Sequence, residues 1–223
     1  TPAAMKKILT TLAFSLPLLL LPVSCLKEGN DTLTLPPYPL EDKPTTGYGD
    51  GSVPAEFLPD TIRAEFLSLM PIHEGKYPPA VAGQFLASLH TVVFCTDSTL
   101  HQGDTLDDWY LEFYDQTDSG MSKFDGRRLA ATSHFDTVYL VGQGDKFTAF
   151  LKERVEMGDA ASSWCLFSTL ISGVVTPDGI RDFHNATILI DKYDPDSLYT
   201  PVGGYRVSKD ADGLADTLVW NVK

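Results

Sequence analysis

The chain has 223 residues, and its 30 acidic against 17 basic side chains leave a formal net charge of −13. A surface of that sign repels phosphate backbones and anionic headgroups, which argues against nucleic acid as a partner and against membrane contact through a basic face. The length suits one folded domain around a single core.

From Met5, Lys6 and Lys7 precede an apolar run over residues 8–21 that ends at Pro22-Val23-Ser24-Cys25. This is the basic, apolar and small-residue order of a secretory signal peptide, expected over residues 1–24 with its start at Met5. The run of about 14 residues falls short of the roughly 20 that a membrane-crossing helix needs, and Pro17 interrupts it. Cys25 directly after Ser24 resembles the lipobox of bacterial lipoproteins, with Pro22 where that motif usually has leucine. The resemblance implies lipidation of Cys25 and a membrane held through N-terminal lipid. Lys27-Glu28 with Asp31 is similar to the surface-export signal of Bacteroidota lipoproteins, which implies the cell envelope: an outer-membrane lipoprotein, surface-exposed or periplasmic. Removing residues 1–24 takes away two lysines and no acid, so the mature 199 residues carry −15.

Residues 25–57 hold Pro36, Pro37, Pro39, Pro44 and Pro54 with Gly47, Gly49 and Gly51, and little apolar periodicity. They read as a flexible tether that would set the domain about 30 Å from its anchor. Residues 58–223 read as one domain. After Pro59-Asp60-Thr61, the apolar residues Ile62, Phe66, Leu67 and Met70 recur at helical spacing and stop at Pro71, so one short helix is expected before the sheet.

From Gly83 onward the pattern becomes that of strands. Trp109, Leu111 and Phe113 alternate with Tyr110, Glu112 and Tyr114, and further strands are expected at 84–87, 91–95, 128–133, 137–141, 147–157, 163–175 and 183–192. Asp118-Ser119-Gly120, Gly142-Gln143-Gly144-Asp145 and Pro177-Asp178-Gly179 mark turns, and Asp212-Gly213 is expected to join 205–207 to 217–221 as a hairpin. Residues 163–175 are apolar on both faces, with Trp164, Leu166 and Leu170 on one and Cys165, Phe167 and Ile171 on the other. Such a strand needs cover on both sides, and the helix is a candidate lid. The expected fold is mainly β: an antiparallel meander, closed as an up-and-down barrel or folded as a sandwich. Cys95 and Cys165 fall on these strands, as buried free thiols or as a disulfide.

Several short runs occur together: Gly75-Lys76-Tyr77-Pro78-Pro79, Gly83-Gln84-Phe85, Tyr110 to Gln116, Gly142 to Thr148, and Ser172-Gly173-Val174-Val175 before Gly179-Ile180. In that order they resemble a family of uncharacterised exported Bacteroidota lipoproteins, over roughly residues 59–215. The step Gly83-Gln84-Phe85 also resembles the first strand of lipocalin-type (calycin-like) barrels. That likeness implies a barrel with one open end and a small apolar ligand inside.

Catalytic patterns are scarce. The five histidines, His73, His90, His101, His134 and His184, show no helical metal-pair spacing, and no serine-hydrolase elbow is present. Ser133, His134 and Asp136 stand side by side, but neighbouring strand side chains point to opposite faces, which breaks a relay. Glu112 and Glu153 lie mid-strand and are the carboxylates to inspect. Asp210-Ala211-Asp212-Gly213 is a calcium-loop fragment whose twelfth position is Val219, so the bidentate acid is missing. No cofactor, metal site or catalytic residue is expected.

Trp109, Phe113, Tyr139, Phe150 and Trp164 are the candidate ligand-lining aromatics, with core packing as the alternative. The expectation is a lipid-anchored binding module, without catalysis, for a small apolar or glycan ligand. The alternative is a structural or adhesive surface lipoprotein acting through an envelope protein partner, and the third reading is a hydrolase with two carboxylates converging in one cleft.

Overall fold

The computed structural model describes residues 50–128, 131–157, 163–195 and 200–218. The expected signal peptide, the lipidation at Cys25 and the tether up to residue 49 lie outside them. Helix α1 (Asp60–Phe66) precedes β1 (Lys76–Tyr77), β2 (Gly83–Ala87), β3 (Thr91–Cys95), β4 (Trp109–Tyr114), β5 (Met121–Arg128) and β6 (Ala131–Gln143). β7 (Lys146–Met157), β8 (Ser163–Thr176), β9 (Gly179–Tyr193), β10 (Tyr205–Lys209) and β11 (Leu214–Thr217) follow. Strands β2, β4 to β9 and β11 close into an eight-stranded antiparallel barrel, because β11 pairs with β2 on one side and β9 on the other. The mainly β barrel expected from the alternation is the fold.

Two apolar clusters flank the wall. Inside lie Phe85, Trp109, Leu111, Phe113, Phe124, Phe147, Ile171, Ile180 and Phe183 with their neighbours. The rings interlock, with Phe113 to Phe124 at 4.9 Å and Trp109 to Phe124 at 5.9 Å between centroids. Gly126 makes room for them, since a Cβ there would meet the Trp109 indole nitrogen at 2.9 Å. Outside, Tyr139, Phe150, Leu170, Ala186, Ile188, Tyr205 and Val207 are covered by Val53, Phe57, Leu58, Phe66 and Met70. Residues 163–175 are therefore buried on both faces, and α1 supplies part of the outer lid, as the two-sided apolar pattern requires.

Three features differ from the sequence reading. The folded part begins before residue 58: Val53 and Phe57 are buried, and the Arg63 guanidinium donates to the Val53 carbonyl at 2.5 Å. Backbone bonds from Gly142 to Gly75 and from Gly75 to Gly51 tie this segment to β6, at an approach so close that a Cβ on Gly75 would lie 2.5 Å from the Gly142 oxygen. The expected strand at 128–133 is instead the ends of β5 and β6 on either side of residues 129–130. Strand β5 escaped notice because its inward residues Ser122, Phe124 and Gly126 include one large apolar side chain, and its outward residues are Lys123, Asp125 and Arg127. Among the described residues the expected 212–213 hairpin does not form either, its segment 219–221 lying outside them: β10 and β11 do not pair with each other but lie end to end along β9, at Ile188 to His184 and at Arg181 to Gly179.

The outer cluster makes the terminal segment part of the stability of the barrel. Phe66 is fully buried, with its ring 5.6 Å from Tyr205. Phe66→Ala is expected to cost about 3–5 kcal/mol in urea unfolding, the range for removing a large buried ring. A cost below about 1 kcal/mol would mean that α1 is not a fixed part of the core.

Candidate functional site

The barrel is not uniform along its length. In the half closed by β2 and β11, the inward residues are packed to near-zero exposure, as for Phe113, Phe124, Phe147, Ile171 and Phe183. In the other half the wall is split: β6 and β7 pair only over Tyr139–Gln143 and Lys146–Phe150, so residues 131–138 and 151–157 run on without each other. Cross-strand register fixes which side chains face inward there. Thr169 stands opposite Leu151 and Thr187, Glu153 opposite Phe167, Arg206 opposite Thr187 and Cys95, and Arg128 opposite Trp109. Partners in a rung share a face, and Leu151 and Trp109 belong to the interior cluster.

The inward residues of this half are unevenly covered: Cys165, Phe167, Leu189 and Arg206 are buried. Arg128, Ser133, Phe135, Glu153, Val155, Thr169 and Thr187 are all half-buried, whereas Thr132, His134, Asp136, Lys152, Arg154 and Glu156 on the outer face are exposed. Where β6 and β7 diverge, Phe135, Val155, Thr169 and Thr187 thus stay accessible to water, beyond the sealed ring cluster of the other half.

Several ionisable groups lie on this inward face. Burial pushes the Glu153 carboxyl above its ordinary range. Arg128 lays its guanidinium 4.2 Å over the Trp109 ring, and burial, then the neighbouring Arg206, work against its charge. His90 has no exposure and both ring nitrogens lack a hydrogen-bond partner, with Phe183 at 5.7 Å and Trp109 at 6.2 Å. Burial first, then Arg128 and Arg206, pull its pKa from 6.5 down to about 2. Cys95 and Cys165 are both free, and burial pushes the Cys165 thiol up to about 11.

The five candidate aromatics do not share one cavity. Trp109 and Phe113 face the lumen, and of these Trp109 borders the open half through Arg128. Tyr139 and Phe150 stack 5.7 Å apart on the outer face, where Phe57 closes on Phe150 at 4.8 Å. Trp164 is half-buried near the far end of β8, under the Arg154 guanidinium at 4.6 Å. Sequence reasoning did find Glu153, but it missed His90, Arg128 and Arg206. Arg206 sits between Tyr205 and Val207, which are buried on the outer face, and that alternation was the available signal for an inward arginine.

A concave surface lies outside the barrel on β2, β4, β5 and β6. This groove of about 450 Å³ is lined by Gln84, Tyr110, Glu112, Asp125, Arg127 and His134 with their neighbours. His134 is bonded to Asp125 at 2.5 Å, which raises its pKa, and its other nitrogen is 3.4 Å from Asp136. Ser133 faces inward, in register with Gly126, so Ser133, His134 and Asp136 form no relay. Asp210 is buried, accepts bonds from the Ser88 and Asp212 amides, and is raised to about 6 by burial and by Asp212. Among the described residues, no group of three acidic, histidine or cysteine side chains is placed to hold a metal ion. No protein-family model, curated protein or solved structure matches this chain.

His90 makes the folded state sensitive to acid. Its folded pKa lies below its unfolded one, so the unfolded chain takes up a proton as pH falls through 6.5 while the folded chain refuses it. Stability should therefore drop on this account by up to about 1.4 kcal/mol per pH unit below 6.5. His90→Leu is expected to flatten the urea-derived stability curve between pH 6.5 and 4.5, and equal slopes in the two proteins would show that His90 does not govern it.

Proposed function

We propose that this chain is a lipid-anchored cell-envelope binding protein that captures a small, largely apolar molecule in the open half of its barrel. The observation that carries the reading is the split between β6 and β7, with inward Phe135, Val155, Thr169 and Thr187 left half-buried beside a sealed floor. A barrel built only for stability would extend the ring packing of the closed half along its whole length. Small-molecule sites combine apolar walls with a few placed polar groups, and the open half has that composition. The anchor rests on the order of Lys6, the apolar run and Cys25, and on the likeness to exported Bacteroidota lipoproteins.

The outer groove favours a second reading, contact with a glycan or an envelope protein. Its carboxylates, amide and tyrosine suit hydroxyl-rich surfaces, although Arg127 already covers the Tyr110 ring at 4.7 Å. The free edge of β7 argues against strand addition as the mode, because Lys152, Arg154 and Glu156 guard it with charge.

Native mass spectrometry on the full chain purified from a bacterial envelope tests the first reading. A discrete extra mass that is lost on denaturation is expected, and Thr169→Trp, which fills the space between Leu151 and Thr187, should reduce its occupancy about tenfold or more. A bound mass that persists undiminished in Thr169→Trp would move the site to the outer groove. For the anchor, Cys25→Ser is expected to shift the protein from the membrane to the soluble envelope fraction, and an unchanged distribution would remove lipidation from the account.

A further inference from the structure

The groove outside β2, β4, β5 and β6 orders its polar side chains more closely than a solvated sheet face requires. Cross-strand register sets Gln84, Glu112, Asp125 and His134 in one rung across the four strands, with Tyr110 opposite Arg127 in the next rung on the same face. Glu112 and Asp125 therefore stand directly opposite each other, and like charges so placed cost stability unless they are offset. His134 offsets Asp125: its Nδ1 is bonded to that carboxylate, and its Nε2 lies 3.4 Å from Asp136. Glu112, by contrast, makes no ion pair among the described residues, although Arg127 is its diagonal neighbour and has a side chain long enough to reach it. Arg127 instead lays its guanidinium 4.7 Å over the Tyr110 ring. Gln84 completes the row with a buried amide oxygen that has no hydrogen-bond partner among the described residues.

Acceptors and donors thus stand side by side in one groove, and a ligand of either charge meets repulsion there. Glu112 and Asp125 oppose an anion, and Arg127 opposes a cation. A hydroxyl meets no such conflict, because it donates to a carboxylate and accepts from a guanidinium. Resting on the second reading of the groove above, we propose that it binds a neutral saccharide. A vicinal pair of hydroxyls donates to the two oxygens of Glu112, and a neighbouring ring substituent accepts from Arg127. The terminal torsion of Gln84 is soft, so a turn of the amide brings its unsatisfied oxygen to a further hydroxyl. Leu218 and the exposed part of Tyr110 offer apolar surface to the C–H face of the sugar ring. The stack on Tyr110 holds the Arg127 fork in place before the ligand arrives, which reduces the entropy lost on binding. From Gln84 to His134 the row crosses three strand spacings, about 14 Å, which a linear trisaccharide lying across the strands covers. The groove volume of about 450 Å³ falls within the range of small-molecule sites. A chain of net charge −13 repels acidic sugars at long range, and a neutral one escapes that repulsion.

Titration of the nitrogen-15-labelled full chain, followed by its amide NMR signals, compares cellotriose, maltotriose and laminaritriose with the zwitterionic dipeptide alanylalanine. At least one trisaccharide is expected to shift the amides of Gln84, Glu112 and Asp125 with a Kd of about 1 mM or lower. Glu112→Gln keeps the shape of the side chain but removes its charge and one acceptor oxygen. It should raise that Kd about tenfold or more, the ratio a hydrogen bond to a charged group provides. Thermal melting checks that the variant is folded. Groove shifts caused by alanylalanine and by no sugar, or an undiminished affinity in a folded Glu112→Gln, overturn the saccharide assignment and leave the groove standing as a contact site. No shift of the groove amides by any of the four probes also overturns the assignment, and no shift on adding a detergent extract of the bacterial envelope overturns the second reading with it.

Discussion

The architecture depends on strand β9 having two partners along one edge. Gly179 to Arg181 pair with β11, and His184 to Ile188 pair with β10, while the other edge is held by β8 over nearly the whole length. Through β11 the sheet reaches β2 and closes, so the first half of β9 belongs to a sealed barrel. Through β10 it reaches β3 instead, and the second half belongs to a sheet that extends beyond the closure. The chain changes from one partner to the other at Asp210 to Gly213, where the buried Asp210 carboxylate takes the Ser88 and Asp212 amides. One short turn thus separates a filled half from an open one.

That division explains why the packing is so heavily aromatic on one side of the molecule. An eight-stranded barrel has an interior just wide enough for side chains to fill, and Phe85, Trp109, Phe113, Phe124, Phe147 and Phe183 fill it with rings in tilted and edge-on contact. Stability concentrated there, and in the cluster under α1, lets the wall be broken elsewhere. The outer cluster is assembled from both ends of the sequence order: Phe57 and Phe66 from the N-terminal segment meet Tyr205 and Val207 from β10. The glycine stack of Gly51, Gly75 and Gly142 holds that segment where its side chains can cover β7 and β8.

Much of this was legible in the residues, and the limits have physical causes. Alternation revealed β4 and the two-faced apolar run revealed β8, with Cys165, Phe167 and Ile171 inward and Leu170 outward as expected. Turn chemistry marked the 142–145 and 177–179 reversals. Strand β5 was hidden because glycine and serine occupy inward positions whose volume Trp109 and the neighbouring rings take up, a three-dimensional economy that hydrophobicity along the chain does not register. The fate of Asp212-Gly213 was equally hidden, since a local turn signal cannot say whether the flanking strands pair with each other or with a third strand. Residues 51–57 looked like linker because they end a stretch rich in proline and glycine, yet two buried apolar side chains, Val53 and Phe57, suffice to anchor them. The open half was the least readable part: Arg206 could be placed inward from its buried neighbours Tyr205 and Val207, whereas Arg128 is placed only by its register opposite Trp109.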